Sequence, residues 1–196
     1  MEIKNTLYIT NRKDWRKWLV KNHKKQKEVW LIYYRKSSGK PRISYDEAVL
    51  EALCYGWIDS IVKRIDDEAF AQRFSPRRPN SVFSQMNKER VRELIKDKKM
   101  TRVGLEALAH VFNPKTDKSE KFEIPLDILK AIKKNRKAWE YFKKMPPVYQ
   151  RIRITYIEHQ KQRGVNFYQK SLTYFIKMTA QNKLIGFVKE RIDRIK

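Results

Sequence analysis

The sequence predicts an α+β protein, in which a small mixed or antiparallel sheet is covered by helices and followed by a helical C-terminal region. Glu28–Arg35 and Trp57–Val62 are rich in β-branched and aromatic residues, as strands are. The C-terminal third carries apolar residues at three- and four-residue spacing, which is typical of helices. A polar segment separates the two regions. We therefore predict an α+β domain over residues 1–113, a linker over residues 114–123 and a helical region over residues 124–196.

The N-terminal part begins with a predicted strand and helix. Thr6–Thr10 has the composition of a short strand. Asn11 is a favourable helix N-cap, and Trp15, Trp18 and Leu19 then follow at the spacing of one helical face. We expect this face to pack in the core. The next strand has apolar residues on both faces, which favours a central, covered position in the sheet.

A helix and a hairpin are predicted in the middle of the chain. Ser44 and Glu47 have the spacing of a capping box, so a helix should begin at Tyr45. Gly56 suits the left-handed conformation that ends many helices. A strand follows, and after a turn we expect Ala69–Arg73 to return as its neighbour.

Asp59 lies within this otherwise apolar strand. An ionised carboxylate is costly to bury without a partner, and several arginines follow it in the chain. We predict that Asp59 pairs with Arg73, Arg77 or Arg78. A salt bridge with a purely structural role is the alternative.

The segment Pro76–Pro79 holds two arginines between two prolines, which restrain the backbone around them. Guanidinium groups match carboxylate and phosphate geometry, and a helix capped by Ser81 or Ser84 would direct its N-terminus towards the same place. We predict a pocket for a small anionic ligand, although the arginines could instead only brace the helix. The candidate ligand-binding residues are Trp57, Asp59, Arg73, Arg77, Arg78, Ser81 and Asn87.

The same pocket would serve an enzyme that uses Asp59 as a general base. Burial would raise the pKa of this carboxyl group towards the range of a base, whereas nearby arginines would lower it. The sequence leaves open whether the protein is an enzyme. Cys54 lies on the predicted inner face of a helix, which favours a packing role over a nucleophilic one. The histidines at 23, 110 and 159 are far apart and no nucleotide-binding glycine motif is present, so we expect neither a metal nor a cofactor.

Five motifs occur in this part of the chain, in the order Ser44–Ala48, Ala52–Ser60, Gln72–Ser81, Phe83–Asn87 and Met100–Gly104. Together they resemble the YdeI/OmpD-associated family, whose members are also described as bacteriocin-protection proteins. The resemblance covers roughly residues 12–110 and continues more loosely over 125–185, where the Ala-Lys and Thr-Arg pairs usual in the family's tail are absent. It implies a role in envelope stress or bacteriocin tolerance, for which a porin would be one route, and names no reaction.

The chain is strongly basic, with 46 Lys and Arg against 22 Asp and Glu and a formal net charge of +24. From Pro125 onward 18 basic residues oppose 5 acidic ones, which leaves +13 there and +11 in the remainder. We expect non-specific nucleic-acid binding at low salt, because phosphate contacts require only positive charge. Specific binding of nucleic acid by the basic C-terminal helices is the second alternative function.

Cys54 is the single cysteine, so no intramolecular disulfide can form, which fits a reducing compartment. No run of 18 apolar residues is present, and we expect no membrane span. No apolar leader follows Met1, so we expect a cytoplasmic protein. The sequence indicates neither a protein partner nor an oligomeric state.

Overall fold

The structure, a computed structural model, describes residues 3–117 and 122–186. It confirms the α+β class and the helical C-terminal region. The chain divides into two compact units, Met1–Lys118 and Ser119–Lys196, here called unit 1 and unit 2. The domain boundaries inferred from the sequence stay a prediction, and the first four residues of the expected linker, Pro114–Asp117, form a short helix.

The described part of unit 1 alternates strands and helices, which we number in chain order. They are β1 (Thr6–Tyr8), α1 (Arg12–Asn22), β2 (Val29–Tyr34), α2 (Tyr45–Cys54), β3 (Trp57–Arg64), β4 (Ala69–Pro76), α3 (Gln85–Lys96), α4 (Arg102–Leu108) and α5 (Pro114–Asp117).

The four strands form one mixed sheet in the order β1-β2-β4-β3. The β1 strand runs parallel to β2, and the other neighbouring strands are antiparallel. The prediction that β2 is an interior strand is confirmed. Phe74 on β4 packs edge-on against Trp15 of α1, with ring centroids 5.5 Å apart, so the helices cover this face of the sheet. A bulge between Asp59 and Val62 interrupts the β3–β4 pairing.

Helix α2 is the buried centre of unit 1. The predicted capping box is present, because the Ser44 hydroxyl accepts from the Glu47 backbone N–H and the Glu47 carboxylate accepts from the Ser44 backbone N–H. Residues 48–54 of the helix are all buried. Gly56 follows with φ of 70°, the left-handed conformation that the sequence predicted.

Helix α4 approaches the end of α2 more closely than a side chain at Gly104 would permit. A Cβ atom added at Gly104 would lie 2.7 Å from the carbonyl carbon of Cys54, and one added at Gly56 would overlap Ala107. Thr101 caps α4 by accepting from the Gly104 N–H at 3.1 Å, and its hydroxyl also donates to the Cys54 carbonyl. The last of the five motifs is therefore explained by helix packing.

A buried ion cluster joins α1 to α2. Glu51 is 2% exposed, and its two carboxylate oxygens accept separately from Arg12 and Arg16. Arg16 also donates to the Lys99 carbonyl at 3.1 Å, which extends the cluster to the turn before α4. Because a buried carboxylate is tolerated only when it is paired, this arrangement constrains the positions of three segments.

The described part of unit 2 is helical apart from its connections. Asn135 caps the second helix by accepting from the Ala138 N–H, and Pro147 is the first residue of the third. Pro125 is the N-cap residue of the first helix. The helices are α6 (Leu126–Lys134), α7 (Arg136–Lys144), α8 (Pro147–Gln160) and α9 (Val165–Ala180).

Aromatic residues form the core of unit 2. Phe142 of α7 packs edge-on against Phe175 of α9 at 6.1 Å, and Tyr149 of α8 lies 6.5 Å from the same ring. The Tyr149 hydroxyl accepts from the Ile185 backbone N–H at 3.0 Å, which binds the segment after α9 to α8. Across the residues that the structure describes, no helix combines the length and apolar character needed to cross a membrane.

A surface cluster around Asp127 holds α6 against the ends of α8 and α9. The Asp127 carboxylate pairs with the Lys161 ammonium at 2.8 Å and accepts from the Tyr168 hydroxyl at 2.6 Å. The hydrogen bonds from Lys161 and Tyr168 lower the pKa of Asp127 to about 2. The ionised form therefore stabilises the folded unit.

We expect Gly104→Ala to lower the free energy of unfolding by about 1–3 kcal/mol, because the added methyl group overlaps the Cys54 carbonyl. Alanine would otherwise stabilise a helix interior by about 1 kcal/mol relative to glycine. Urea unfolding measures the change, with Arg102→Ala, at an exposed position in the same helix, as the control. A Gly104→Ala variant as stable as the wild type would contradict this close approach.

We expect Asp127→Asn to be less stable than the wild type at neutral pH, by a difference that shrinks as the pH falls from about 4 to about 2. The folded-state pKa of Asp127 is depressed, so its contribution is present above the unfolded pKa of about 3.9 and is lost as pH falls through about 2. Thermal unfolding of the full chain between neutral pH and pH 2 tests this. Glu140→Gln, which removes an exposed pair with Arg136, is the control, and an Asp127→Asn effect that is undiminished at pH 2 would count against the assignment.

Candidate functional site

Arg77 is the sequence-predicted site residue with the most unusual environment. It follows β4 directly and is 8% exposed, and its backbone N–H donates to the Gly56 carbonyl at 2.9 Å. Its Nη1 donates to the Ser81 hydroxyl at 2.7 Å and to the Val82 carbonyl at 3.1 Å. The guanidinium carbon lies 4.9 Å from the centroid of the Phe83 ring. The side chain is thus held firmly on one edge.

The other edge of the Arg77 guanidinium has no hydrogen-bond partner among the described residues. Both Nε and Nη2 are buried and unpaired. Burial lowers the pKa of Arg77, and the nearby Asp59 carboxylate acts in the opposite direction, yet no ion pair joins the two groups in the described part of the chain. An arginine stays charged in proteins, so a buried positive charge is left without a contacting anion.

Asp59 is partly buried on β3, opposite Phe74 of β4. Its Oδ2 accepts from the Tyr45 hydroxyl at 2.7 Å. Partial burial and the hydrogen bond to Asp59 raise the pKa of Tyr45, so this hydroxyl remains a donor near neutral pH. Asp59 is therefore oriented by the first residue of α2.

A second buried guanidinium lies next to Tyr45. Arg90 of α3 is 5% exposed and pairs with Asp46 at 2.6 Å, and its Nη1 donates to Asn87 Oδ1 at 3.1 Å. Its Nε is buried without a partner among the described residues. This pair fastens α3 to the first turn of α2, beside the Tyr45–Asp59 hydrogen bond.

The Tyr33 hydroxyl completes the cluster from β2. The side chain is 2% exposed and its ring stacks on Phe70 at 5.3 Å. Its oxygen is buried and has no hydrogen-bond partner among the described residues. Burial raises the pKa of Tyr33, with a further contribution from Tyr45 and Asp59, so it is a neutral group able to donate or accept.

Arg73 does not join this cluster. Asp59 lies opposite Phe74, and because adjacent strand residues point to opposite faces, Arg73 projects from the other face of the sheet. There it pairs with Glu28 at 2.7 Å. The prediction that Asp59 forms an ion pair with one of the following arginines is therefore wrong for the described residues. Asp59 instead accepts a hydrogen bond from Tyr45.

Three other predicted site residues have local roles. Trp57 is 1% exposed and packs in the core, where its indole N–H donates to the His23 carbonyl. Arg78 is exposed. Ser81 donates to the Arg78 carbonyl at 2.8 Å and supports Arg77, whereas the residue that caps α3 is Ser84. The structure thus brings Arg77 and Ser81 into contact near Asp59. It also connects Asn87, through Arg90, to Asp46, the residue after Tyr45.

Tyr33, Tyr45 and Arg90 are the residues that the sequence analysis missed. Tyr45 stood inside a recognised motif but was interpreted only as the start of a helix. Tyr33 and Arg90 stood in a strand and a helix whose apolar residues explained the local pattern. Two signals were available in the sequence. Tyr33 places a hydroxyl group on a strand predicted to be covered, and Arg90 lies next to the apolar face of its helix.

Other reactive groups offer little chemistry. Burial raises the pKa of the Cys54 thiol to about 11, so it is protonated and unreactive near neutral pH. Within the described ranges, no three His, Cys, Asp or Glu side chains are grouped as a metal site requires.

Two family models match different parts of the chain. Residues 7–107, about half of the chain, match the model described as Domain of unknown function (DUF8412). Residues 121–182 match the model described as Bacteriocin-protection, YdeI or OmpD-Associated, which confirms the resemblance suspected from the sequence. The five motifs that carry the resemblance lie in the N-terminal part of the chain, whereas this second match lies in the C-terminal helices. No curated protein and no solved structure matches the chain significantly.

We expect Arg77→Met to leave the free energy of unfolding within about 1 kcal/mol of the wild type or to raise it, because a buried charge without an ion pair is replaced by an apolar chain of similar length. Arg90→Met should cost at least about 2 kcal/mol, since it leaves Asp46 unpaired. Urea unfolding compares the two variants. An equal loss in both would mean that Arg77 is a structural brace.

Proposed function

Because the chain belongs through residues 7–107 to the family described as Domain of unknown function (DUF8412), a description that names no activity, we propose its function from the site: unit 1 binds a small ligand bearing a carboxylate or phosphate group at Arg77. The observation that supports this proposal is the buried guanidinium with two unpaired nitrogens. A ligand oxygen there would restore the hydrogen bonds and the opposite charge that the fold itself does not supply.

The geometry of Arg77 suits recognition of a planar or tetrahedral anion. Serine and carbonyl oxygens hold Nη1, so the free Nε and Nη2 form a fork with little freedom to reorient. Such a fork makes two parallel hydrogen bonds to one carboxylate or phosphate. In a site of low dielectric these charge-assisted bonds are stronger than in water.

The setting of this binding is the response to stress or bacteriocins in the cytoplasm. The description of the family that matches residues 121–182 supports the first part, and the single, buried Cys54 supports a reducing compartment. An enzyme in which Asp59 acts as a base at the same site is an extension of this proposal, because Asp59 lies near Arg77 and is oriented by Tyr45.

A second candidate function is nucleic-acid binding by unit 2. Lys133 and Lys143 lie over the Trp139 ring at 5.1 and 5.6 Å, and Arg163 lies over the half-exposed Phe167 ring at 4.7 Å. Basic groups beside accessible rings are the elements with which proteins bind single-stranded nucleic acids.

A thermal-shift measurement of the full chain at about 150 mM salt tests both candidates. The probes are inorganic phosphate, sulfate, small carboxylates, alkyl phosphates, amino acids and a short single-stranded oligonucleotide. We expect at least one small carboxylate or phosphate to stabilise the wild type, by about 2.7 kcal/mol at 100 times its Kd. Arg77→Met should lose this shift, while Arg102→Met, which removes an equal charge from an exposed position, should retain it.

Equal shifts in wild type and Arg77→Met, or no shift with any small probe, would refute the proposed site. A shift with the oligonucleotide that persists at this salt concentration would favour the second candidate, and one that fades would reflect net charge alone. Conversion of a bound ligand that is lost in Asp59→Asn would identify the protein as an enzyme.

A further inference from the structure

We infer that the exposed side of α9 binds single-stranded nucleic acid, with aromatic rings that stack on unpaired bases and lysines that contact the phosphates. This inference rests on the second candidate function, specifies its surface and the form of nucleic acid that it takes, and does not involve Arg77. It follows from the residues that α9 presents on the side away from its core.

Four residues of α9 form a stripe along the exposed side of the helix, here called the α9 stripe. They are Phe167, Lys170, Tyr174 and Lys177. Their spacings of three, four and three residues keep them on one helical face. All four are exposed, whereas the buried residues Leu172, Phe175 and Thr179 lie on the opposite side of the helix. The stripe is therefore separate from the surface with which α9 packs.

The two rings of the α9 stripe are only half buried. The exposed fraction is 49% for Phe167 and 53% for Tyr174, whereas the adjacent Phe175 is fully buried. Phe175 makes the ring contacts of α9 with α7 and α8. The two stripe rings thus remain accessible, and an accessible ring offers a flat face on which any nucleic-acid base can stack.

Positive charge alternates with these rings. Helix α9 contains two lysines and no acidic residue, and both lysines belong to the α9 stripe. Arg163, just before the helix, lies over the Phe167 ring at 4.7 Å from its centroid and adds a cation beyond it. Each ring therefore has a cation on both sides along the helix. The rings are seven residues apart, or about 10 Å along the helix axis, so one extended strand would reach both.

A lipid surface fits the α9 stripe less well. A helix that lies in the membrane interface buries a continuous apolar face among the acyl chains. The apolar face of α9 is already buried in unit 2, and Lys170 separates the two rings of the stripe. A nucleic-acid duplex also fits less well, because its bases stack on each other and offer no free face to a ring. Single strands combine accessible bases with closely spaced phosphates.

Three probes that differ in their bases test the inference on the full chain. They are a single strand of about 16 nucleotides, an abasic strand of the same length, and the first strand paired with its complement. Fluorescence anisotropy at about 150 mM salt measures each Kd. We expect the wild type to bind the single strand at least about fivefold more tightly than either other probe, which is the smaller effect of one stacked base.

Two double variants separate the rings from the charges. The ring variant, Phe167→Ser with Tyr174→Ser, should abolish the preference for the single strand, while the affinity for the abasic strand stays the same. Lys170→Gln with Lys177→Gln should weaken binding of all three probes, and should reduce the slope of log K against log salt concentration for the single strand by about 1.4. All four positions are exposed, so the variants should fold, which circular dichroism establishes.

Matched changes elsewhere in the chain are the controls. Leu126→Ser removes another exposed apolar residue of unit 2, and Lys24→Gln with Lys25→Gln removes two exposed charges of unit 1. Neither should alter the preference for the single strand, because neither touches the α9 stripe.

The outcomes separate this inference from the second candidate function. If the wild type binds the single strand and the abasic strand equally, or if the preference survives in the ring variant, the α9 stripe is not a stacking surface and nucleic-acid binding by unit 2 stands without it. If no probe binds at this salt concentration, both are refuted. Tighter binding to phosphatidylserine vesicles than to the single strand, lost in the ring variant, would assign the stripe to lipid and overturn the inference.

Discussion

The turn at Gly56 is the constraint on which the rest of unit 1 depends. It ends α2 with a left-handed residue, begins β3 one residue later, and accepts the Arg77 backbone N–H at its carbonyl. Ala107 of α4 packs where a Cβ atom on this residue would lie. One turn therefore positions the strand that carries Asp59, the backbone of Arg77 and the docking of α4. The capping box at the other end of α2 places Tyr45 opposite Asp59, so both ends of one buried helix determine the geometry of the site.

The site contains buried polar groups that lower the stability of the fold and that folding does not require. The buried Glu51 carboxylate has a structural role, and it forms ion pairs with two arginines. Arg77, Arg90 and Tyr33 each keep a buried polar atom unpaired among the described residues, close to the partly free carboxylate of Asp59. Unsatisfied buried groups are rare in folded proteins and concentrate where a ligand completes them. Arg12 Nη2 in the Glu51 cluster is also buried without a partner, so the difference between the two clusters lies in the ion pairs: Glu51 pairs with two arginines, whereas no described anion contacts the Arg77 guanidinium.

Much of the large positive charge lies outside the candidate site. Several lysines and arginines of unit 2 lie against aromatic rings, and Lys161 also pairs with Asp127 and Glu158. These contacts show that part of the charge stabilises helix packing. The remaining charge predicts only weak, salt-dependent association with polyanions, because phosphate contacts require positive charge and no specific site. The family-model matches follow the same division, because one model matches the α+β part and the other matches the helices.

Local signals in the sequence determined the class, the order of the elements and most helix ends. Asn11, Ser44, Thr101 and Asn135 cap helices through hydrogen bonds to residues three positions away, so their effect is contained in a few residues of chain. The sequence also indicated Asp59, Arg77 and Ser81, because a charge in an apolar strand and an arginine between prolines are visible without a fold.

Which charges meet was decided only by the tertiary structure. Arg73 and Arg77 lie four residues apart, yet the register of β4 turns Arg73 to the face opposite Asp59, where Glu28 neutralises it. Tyr45 reaches Asp59 across fourteen residues because the turn at Gly56 brings the start of α2 beside β3. Partnerships of this kind depend on strand pairing and helix docking between distant segments, and spacing along the chain carries no record of them.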